Sequence, residues 1–306
     1  MPEFEPRERF FKFIRGLQDD ICKNLEAFES QARFIEDRWK REEGGGGWTR
    51  VMSDGSVFEK AGVNVSEVYG PIPEALKGQV APDATSFYAT GISLVIHPVS
   101  PFVPTCHANY RYFEIRNEQN MILDQWFGGG SDLTPYYLFE EDARHFHREQ
   151  KKACDRTYPE FYPRFKKWCD EYFYNHHRNE ARGIGGTFFD HLKSTPEVSW
   201  EQLENFMYDI GRSFLLSYLP IVKLRKEIAF NNDNKVWQEI RRGRYVEFNL
   251  IHDRGTLFGL KSNGRIESIL MSLPPVVRWE YDHHPEPGSE EARLVERLEN
   301  PIDWLD

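Results

Sequence analysis

The chain lacks most of the signals that would place it quickly. Its four cysteines, Cys22, Cys106, Cys154 and Cys169, are scattered with no Cys-x-x-Cys pair, which excludes a disulfide framework and suits a reducing compartment. No apolar run approaches the length of a membrane span. The opening MPEFEPRERFFKF is charged at once and carries Glu3, Glu5 and Glu8, so neither a secretory signal nor a mitochondrial presequence is expected, and a cytoplasmic location is. A Walker loop, a dinucleotide fingerprint and an HExxH helix are all missing. Basic charge is in deficit: the net charge of −10 argues against nucleic-acid partners and acidic membrane surfaces, although a local arginine pocket can still hold an anionic small ligand. With no internal repeat and no linker of shifted composition, the 306 residues are read as one domain, 1–306, with residues 1–6 as a disordered tail.

What the chain does have is aromatic side chains: 23 Phe, 14 Tyr and 8 Trp, enough for a large core or for the walls of a flat hydrophobic ligand site. The densest stretch is KKWCDEYFYNHHRNEARGIGGTFFD, residues 166–190. Phe165, Trp168, Cys169, Tyr172, Phe173 and His176 recur at helical spacing, and Gly183 is the expected stop. A helix leading titratable residues into a glycine loop fits the wall of a site; an ordinary helix C-cap has the same appearance.

Periodicity predicts a long amphipathic helix over residues 7–43, ended by a loop at Gly44-Gly45-Gly46-Gly47. Short alternating runs at 48–52, 57–69, 86–96, 108–116 and 121–127 predict strands, and their short links imply antiparallel neighbours. Helices are expected at 138–154, 158–178 and 200–219, the last capped by Ser199, with a short one at 223–231. Strands return at 245–252 and 266–271 before a final helix at 290–299. Grouped strands, grouped helices and strands again make an α+β pattern around a single large antiparallel β-sheet.

Strand alternation sorts the polar residues. His107, Asn109, Arg111 and Phe113 share one face, placing an imidazole, an amide and a guanidinium in a row that suits an acid–base group beside a carboxylate anchor. An exposed face of a one-sided sheet gives the same pattern. Ser93, Val95 and His97 form a second row, and Tyr245, Glu247, Asn249, Ile251 and Asp253 a third, with Asp253-Arg254-Gly255 at the strand end. Gly128-Gly129-Gly130-Ser131-Asp132 is expected to be a loop before the next helix. His145 and His147 would point about 200° apart on a helix, so only one of them can face a site, and likewise only one of His176 and His177. These histidines could gather with His97 and His107 around a metal, but nothing in the spacing demands one.

The sequence resembles the oxygen-dependent coproporphyrinogen III oxidases. The resemblance is carried by Lys166-x-Trp168-Cys169, Tyr172-Phe173-Tyr174, His177-Arg178-x-Glu180-x-Arg182-Gly183-Ile184-Gly185-Gly186 and Phe188-Phe189-Asp190. It extends through Gly91 to Pro98, His107-Ala108-Asn109-Tyr110-Arg111, Gly128 to Pro135, Tyr245 to Leu250, Asp253-Arg254-Gly255-Thr256 and Glu267 to Pro274. Asn175, Thr187 and His252 depart from the family pattern, and His252 is expected to point away from Asp253. The resemblance implies a single sheet flanked by helices on both faces, in a homodimer, and the oxidative decarboxylation of the ring A and B propionates of coproporphyrinogen III to vinyl groups. Oxygen would be co-substrate, hydrogen peroxide the co-product, and no organic cofactor would be used. His107 would be the proton donor, Asp253 would bind pyrrole N–H groups, and Arg111 or Arg254 would hold the reacting propionate. Ser93, Asn109, Tyr110, Arg111, Asn263, Gly264 and Arg265 would contact substrate. His97, His107, His147 and His177 would be the candidate ligands of a divalent metal that is not a requirement. Two other readings compete: a non-haem metal oxygenase or hydrolase using these histidines with Asp253, and a non-catalytic tetrapyrrole carrier.

Overall fold

The computed structural model describes residues 5–73, 78, 80–261 and 264–306. In chain order its elements are α1 (Pro6–Glu26), β1 (Ile35–Lys40), β2 (Gly45–Ser53), β3 (Phe58–Pro71), β4 (Ala84–Pro98), β5 (Thr105–Asn117) and β6 (Ile122–Thr134). There follow α2 (Glu140–Asp155), α3 (Phe161–Tyr172), β7 (Tyr174–Asn175), β8 (Glu180–Ala181) and β9 (Gly186–Leu192). The chain finishes with α4 (Trp200–Arg225), α5 (Asn232–Ile251), α6 (Arg254–Lys261), α7 (Ile266–Leu270) and α8 (Glu290–Glu299).

Seven strands form one antiparallel sheet in the order β1-β2-β3-β4-β5-β6-β9, and β7 with β8 makes a small separate hairpin. Consecutive strands from β1 to β6 are neighbours, as their short links require. One face of the sheet buries Val63, Val65, Ile92, Leu94, Tyr110 and Tyr112 completely beneath α1 and α4. From the other side, α5 and α7 cover part of the sheet: Tyr245 stands edge-on to His97, and the hydroxyls of Thr49 and Ser268 are hydrogen-bonded at 2.7 Å. The sheet is thus helix-covered on both faces, one fully and one in part. None of the described helices is long and apolar enough to cross a membrane. The four cysteines are free and buried.

Several boundaries differ from expectation. The first helix stops at Glu26 instead of reaching residue 43, because the next turn is put to another use. The Glu29 carboxylate accepts hydrogen bonds from the amides of Ser56, Val57 and Phe58 at 2.6–2.8 Å, tying the helix exit to the β2–β3 turn. Of the expected tail, Glu5 and Pro6 form the cap and first turn of α1; residues 1–4 lie outside the described residues. The four-glycine run is strand, with only Gly44 preceding β2. Gly46 and Gly47 pair with Lys40 and Trp39, and a Cβ on Gly47 would stand 2.4 Å from the Trp39 ring. The Gly128–Asp132 segment is likewise inside β6, since its glycines allow close strand approach: a Cβ on Gly130 would lie 2.3 Å from the Thr187 carbonyl oxygen.

The largest correction concerns residues 245–252 and 266–271, which are helical. The run Tyr-Val-Glu-Phe-Asn-Leu-Ile alternates and is rich in strand formers. A capping box between Asn231 and Asn234 nevertheless starts a helix upstream, and Trp237, Gln238, Arg241, Arg242, Tyr245, Phe248 and Asn249 are buried at helical spacing. Tertiary burial overrides local propensity here. The separate helix expected at 223–231 does not form: Arg225 closes α4, and Asn231 caps α5. The helix from 158 ends at Tyr172, so His176 and His177 lie in the β7–β8 turn and Gly183 does not end a helix.

The opposite settings of two glycines give a test. Gly130→Ala is expected to lower stability by about 1–3 kcal/mol because its Cβ meets backbone that cannot yield. Gly16→Ala, in mid-α1 with open space at its Cβ, is expected to raise it by about 0.5–1 kcal/mol. Thermal melts showing the two shifts with the same sign would contradict these assignments.

Candidate active site

Burial alternates along β5 from residue 107 to residue 113. Residues 108, 110 and 112 are buried, whereas His107, Asn109, Arg111 and Phe113 are half-buried, as are Gly91 and Ser93 opposite them. The register pairs Ser93 with Asn109, Val95 with His107 and Gly91 with Arg111, so the two polar rows read from the sequence share one open floor. The next strand contributes Asp132 beside His107, then Gly130 beside Asn109 and Gly128 beside Arg111. The two glycines leave a trough in the floor. Across it the Arg111 guanidinium reaches Asp190 of β9 at 3.0 Å while also donating to Asn109 Oδ1 at 2.9 Å. A Cβ on Gly128 would stand 2.7 Å from Arg111 Nε, so only glycine lets the guanidinium lie flat there.

His107 Nδ1 is 2.8 Å from Asp132 Oδ1, and Nε2 has no hydrogen bond and faces the open floor. Asp132 is 1% exposed, and Arg182, 2% exposed, donates to both its oxygens at 2.6 and 3.2 Å. Burial alone would push the Asp132 carboxyl up, but the Arg182 guanidinium and His107 outweigh it and hold it below the ordinary value. Burial works against the Arg182 charge as well, and Asp132 more than restores it. Arg182 also donates to Asn249 Oδ1 of α5 at 2.8 Å and lies over the rings of Phe173, Tyr245 and Phe248 at 4.0–4.8 Å. An ionised aspartate thus fixes the imidazole through Nδ1 and leaves Nε2 for proton transfer to or from a ligand.

Two walls rise from the floor. On the β9 side, Tyr172 stacks on Phe188 with centroids 4.1 Å apart, and Phe173 stands edge-on to His107. Asp253 Oδ1 accepts from the Tyr172 hydroxyl at 2.9 Å, while Oδ2 accepts from the amide and hydroxyl of Thr256 at 2.7 and 2.8 Å. Asp253 is therefore the cap of α6 and not the end of a strand, which corrects the third polar row: Tyr245, Glu247 and Asn249 belong to α5. Arg254 lies over the Tyr172 ring at 4.9 Å. On the β2–β3 side stands α7, with Met271 over Gly62 and Ser268 bonded to Thr49. Gly264 closes onto the Gly259 carbonyl at 2.9 Å, and Arg265 pairs with Asp37 of β1. The α6 segment links the two walls.

Most of the expected site residues therefore border one floor. Tyr110 is an exception: its ring is fully buried on the opposite face, so it can contribute only backbone. Asn263 lies outside the described residues. Sequence reasoning missed Asp132, Arg182, Tyr172 and Asp190 as site residues. The glycine run before Asp132 reads as a loop in sequence; as strand, Gly128–Asp132 puts Asp132 directly across from His107. Of the family departures, Thr187 donates to Gln150 at 2.6 Å, Asn175 donates to the Arg244 carbonyl at 3.2 Å while its Oδ1 is buried without a partner, and His252 is hydrogen-bonded to His177.

The four histidines expected as metal ligands do not fit a metal centre. His97 is buried with its ring nitrogens against Thr105 Oγ1 and the Ser272 carbonyl, at 3.1 and 2.9 Å. His147 is buried in α2 between the Tyr162 hydroxyl and the Ile184 carbonyl, each at 2.9 Å. His177 sits in the exposed β7–β8 turn, bonded to His252 and Glu247. Of these four, only His107 has a ring nitrogen without a hydrogen bond. Among the described residues no group of three or more His, Cys, Asp or Glu side chains is arranged to hold a metal ion. The helical argument does hold for α2, where His147 is buried and His145 lies at the surface.

Comparison with known proteins adds an independent line. The family model described as Coproporphyrinogen III oxidase matches residues 9–304. The chloroplastic oxygen-dependent coproporphyrinogen-III oxidase of Glycine max is 54% identical over 98% of this chain and 80% of its own length. Coproporphyrinogen-III oxidase 1, chloroplastic, of Arabidopsis thaliana is 53% identical over 98% of this chain and 79% of its own. The oxygen-dependent enzyme of Synechococcus sp. (strain CC9605) is 49% identical over the whole chain and 89% of its own length.

His147 supplies a test of its structural role. Burial pushes its pKa from 6.5 down to about 4, against the opposing pull of the Ile184 carbonyl. A depressed folded-state value means that this contribution to stability is intact above about pH 6.5 and is lost as pH falls towards 4. His147→Gln should therefore lose less stability than the parent between pH 7 and pH 5 in denaturant titrations. An identical pH dependence would show that His147 is not held neutral by the fold.

Proposed function

Because this chain belongs to the oxygen-dependent coproporphyrinogen III oxidase family, we propose that the open floor and its two walls carry that reaction with the following division of labour. The reaction is the oxidative decarboxylation of coproporphyrinogen III to protoporphyrinogen IX in tetrapyrrole biosynthesis. At rings A and B in turn a propionate loses carbon dioxide and becomes a vinyl group. For each, oxygen takes up two electrons and two protons and leaves as hydrogen peroxide.

The observation that carries the assignment is the His107–Asp132–Arg182 chain set beside Arg111 in a glycine trough. Arg111, flat on Gly128, offers its remaining N–H groups to the reacting propionate, and Arg254 can serve a second one from the β9-side wall. Asp253 uses three of its roughly four acceptor directions on Tyr172 and Thr256, leaving about one for a pyrrole N–H. Its negative charge stabilises the positive charge that grows as the electron-rich pyrrole is oxidised. His107 is the proton donor through Nε2 when its ring carries both protons, with Nδ1–H held by the ionised Asp132. Ser93, Asn109, Gly264 and Arg265 border the bound macrocycle, and the stacked Tyr172–Phe188 pair faces its apolar body.

No organic cofactor enters this scheme, and no step passes through a metal. A homodimer is supported by the concentration of exposed apolar side chains after residue 249: Ile251, Ile266 and Trp279 are more than half exposed, and Tyr281 almost wholly. Sedimentation of the purified protein as a monomer at micromolar concentration would reject it. The buried thiols suit a reducing compartment, and we propose the cytoplasm.

Aerobic incubation with coproporphyrinogen III, following carbon dioxide release, tests the roles directly. His107→Gln should lower kcat by about 10²-fold or more with KM little changed. Asp253→Ala should lower kcat likewise. An unchanged kcat in either variant removes that residue from the mechanism.

A further inference from the structure

Tyr172 is the last residue of α3, and its hydroxyl meets the chain again at the junction of α5 and α6. The bonds there have only one arrangement. The hydroxyl oxygen lies 2.9 Å from Asp253 Oδ1 and 3.1 Å from the Arg254 amide nitrogen. A backbone N–H can only donate, and an ionised carboxylate can only accept. The phenol proton therefore goes to Asp253, and an oxygen lone pair takes the Arg254 N–H. That N–H opens α6 and has no acceptor within the helix. Burial, and then the charge of Asp253, push the Tyr172 hydroxyl up to about 12, so it remains a donor at neutral pH.

The ring that carries this hydroxyl is itself fixed. It lies on Phe188 with planes 9° apart and meets Phe173 and Phe248 edge-on, at centroid distances of 4.8 and 6.0 Å. The remaining side-chain bonds of Asp253 are local, since Oδ2 accepts only from Thr256, three residues on. Among the described residues, Tyr172 is thus the one side chain from outside the α5–α6 junction that is hydrogen-bonded to this carboxylate. Direction matters for such a group: a displacement of about 1 Å at a reacting centre can cost roughly 10²-fold in rate. We propose that Tyr172 is the positioning residue for Asp253, its hydroxyl fixing the rotation of the carboxylate so that the remaining acceptor direction is kept for the substrate. This rests on the role given to Asp253 in the reaction above.

The test is a double-mutant cycle. Tyr172→Phe keeps the stacked ring and removes only the hydroxyl. With coproporphyrinogen III under aerobic turnover it should lower kcat for carbon dioxide release by about tenfold, with KM within about threefold of the parent. The same substitution added to Asp253→Ala should change kcat by less than about twofold, because the two side chains then act as one unit. An unchanged kcat in Tyr172→Phe, with Asp253→Ala impaired, overturns the proposal. So does an equal tenfold loss in both backgrounds, which would make the hydroxyl a brace for α6 that acts independently of the carboxylate. Failure of the underlying reading shows elsewhere, because Asp253→Ala alone would then keep the parent kcat.

Discussion

The ion pair between Asp132 and Arg182 is the contact on which the rest of the arrangement depends. Each side chain is almost wholly removed from water, and each would be costly to bury alone. Together they join three otherwise separate pieces: the central strands through His107, the segment after α3 through Arg182 itself, and α5 through Asn249. Three aromatic rings surround the guanidinium and replace the water it has lost. The same pair sets the state of the imidazole. An ionised Asp132 favours the proton on Nδ1, so the chemistry at Nε2 follows from a bond on the far side of the ring.

The middle of the sheet was legible because its signal is local and strict. Alternation along 107–113 and 91–97 put the correct residues on one face, and the short links gave their antiparallel order. The helical half was less legible. Residues 245–252 carry a strand-like composition, and only the cap at Asn231 and the long-range burial of the α5 face reveal the helix. Asp132 went unseen for a related reason. Three successive glycines signal a turn in isolation, yet here they let strands and a guanidinium approach closely. The four histidines show the limit of counting residue types. Their fates are fixed by the partners of each ring nitrogen, and those partners come from distant parts of the chain.

Glycine has a consistent function across the floor. Gly128 and Gly130 lack the side chains that would fill the space between β5 and β9, and Arg111 crosses the space they leave to reach Asp190. The floor is therefore shaped as much by missing atoms as by present ones, which leaves an open trough among strands that elsewhere carry large residues.

The burial of the four cysteines matters for an enzyme that makes its own oxidant. Cys106, next to His107 in β5, points into the core away from the open floor, and Cys169 packs with Phe173 and Phe188. Peroxide attacks thiolates, and burial pushes all four thiols up, Cys22 to about 12. They stay protonated and inaccessible at neutral pH, out of reach of the oxidation that begins with sulfenic acid. The core that shields these thiols thereby gives the catalyst resistance to inactivation by its own co-product.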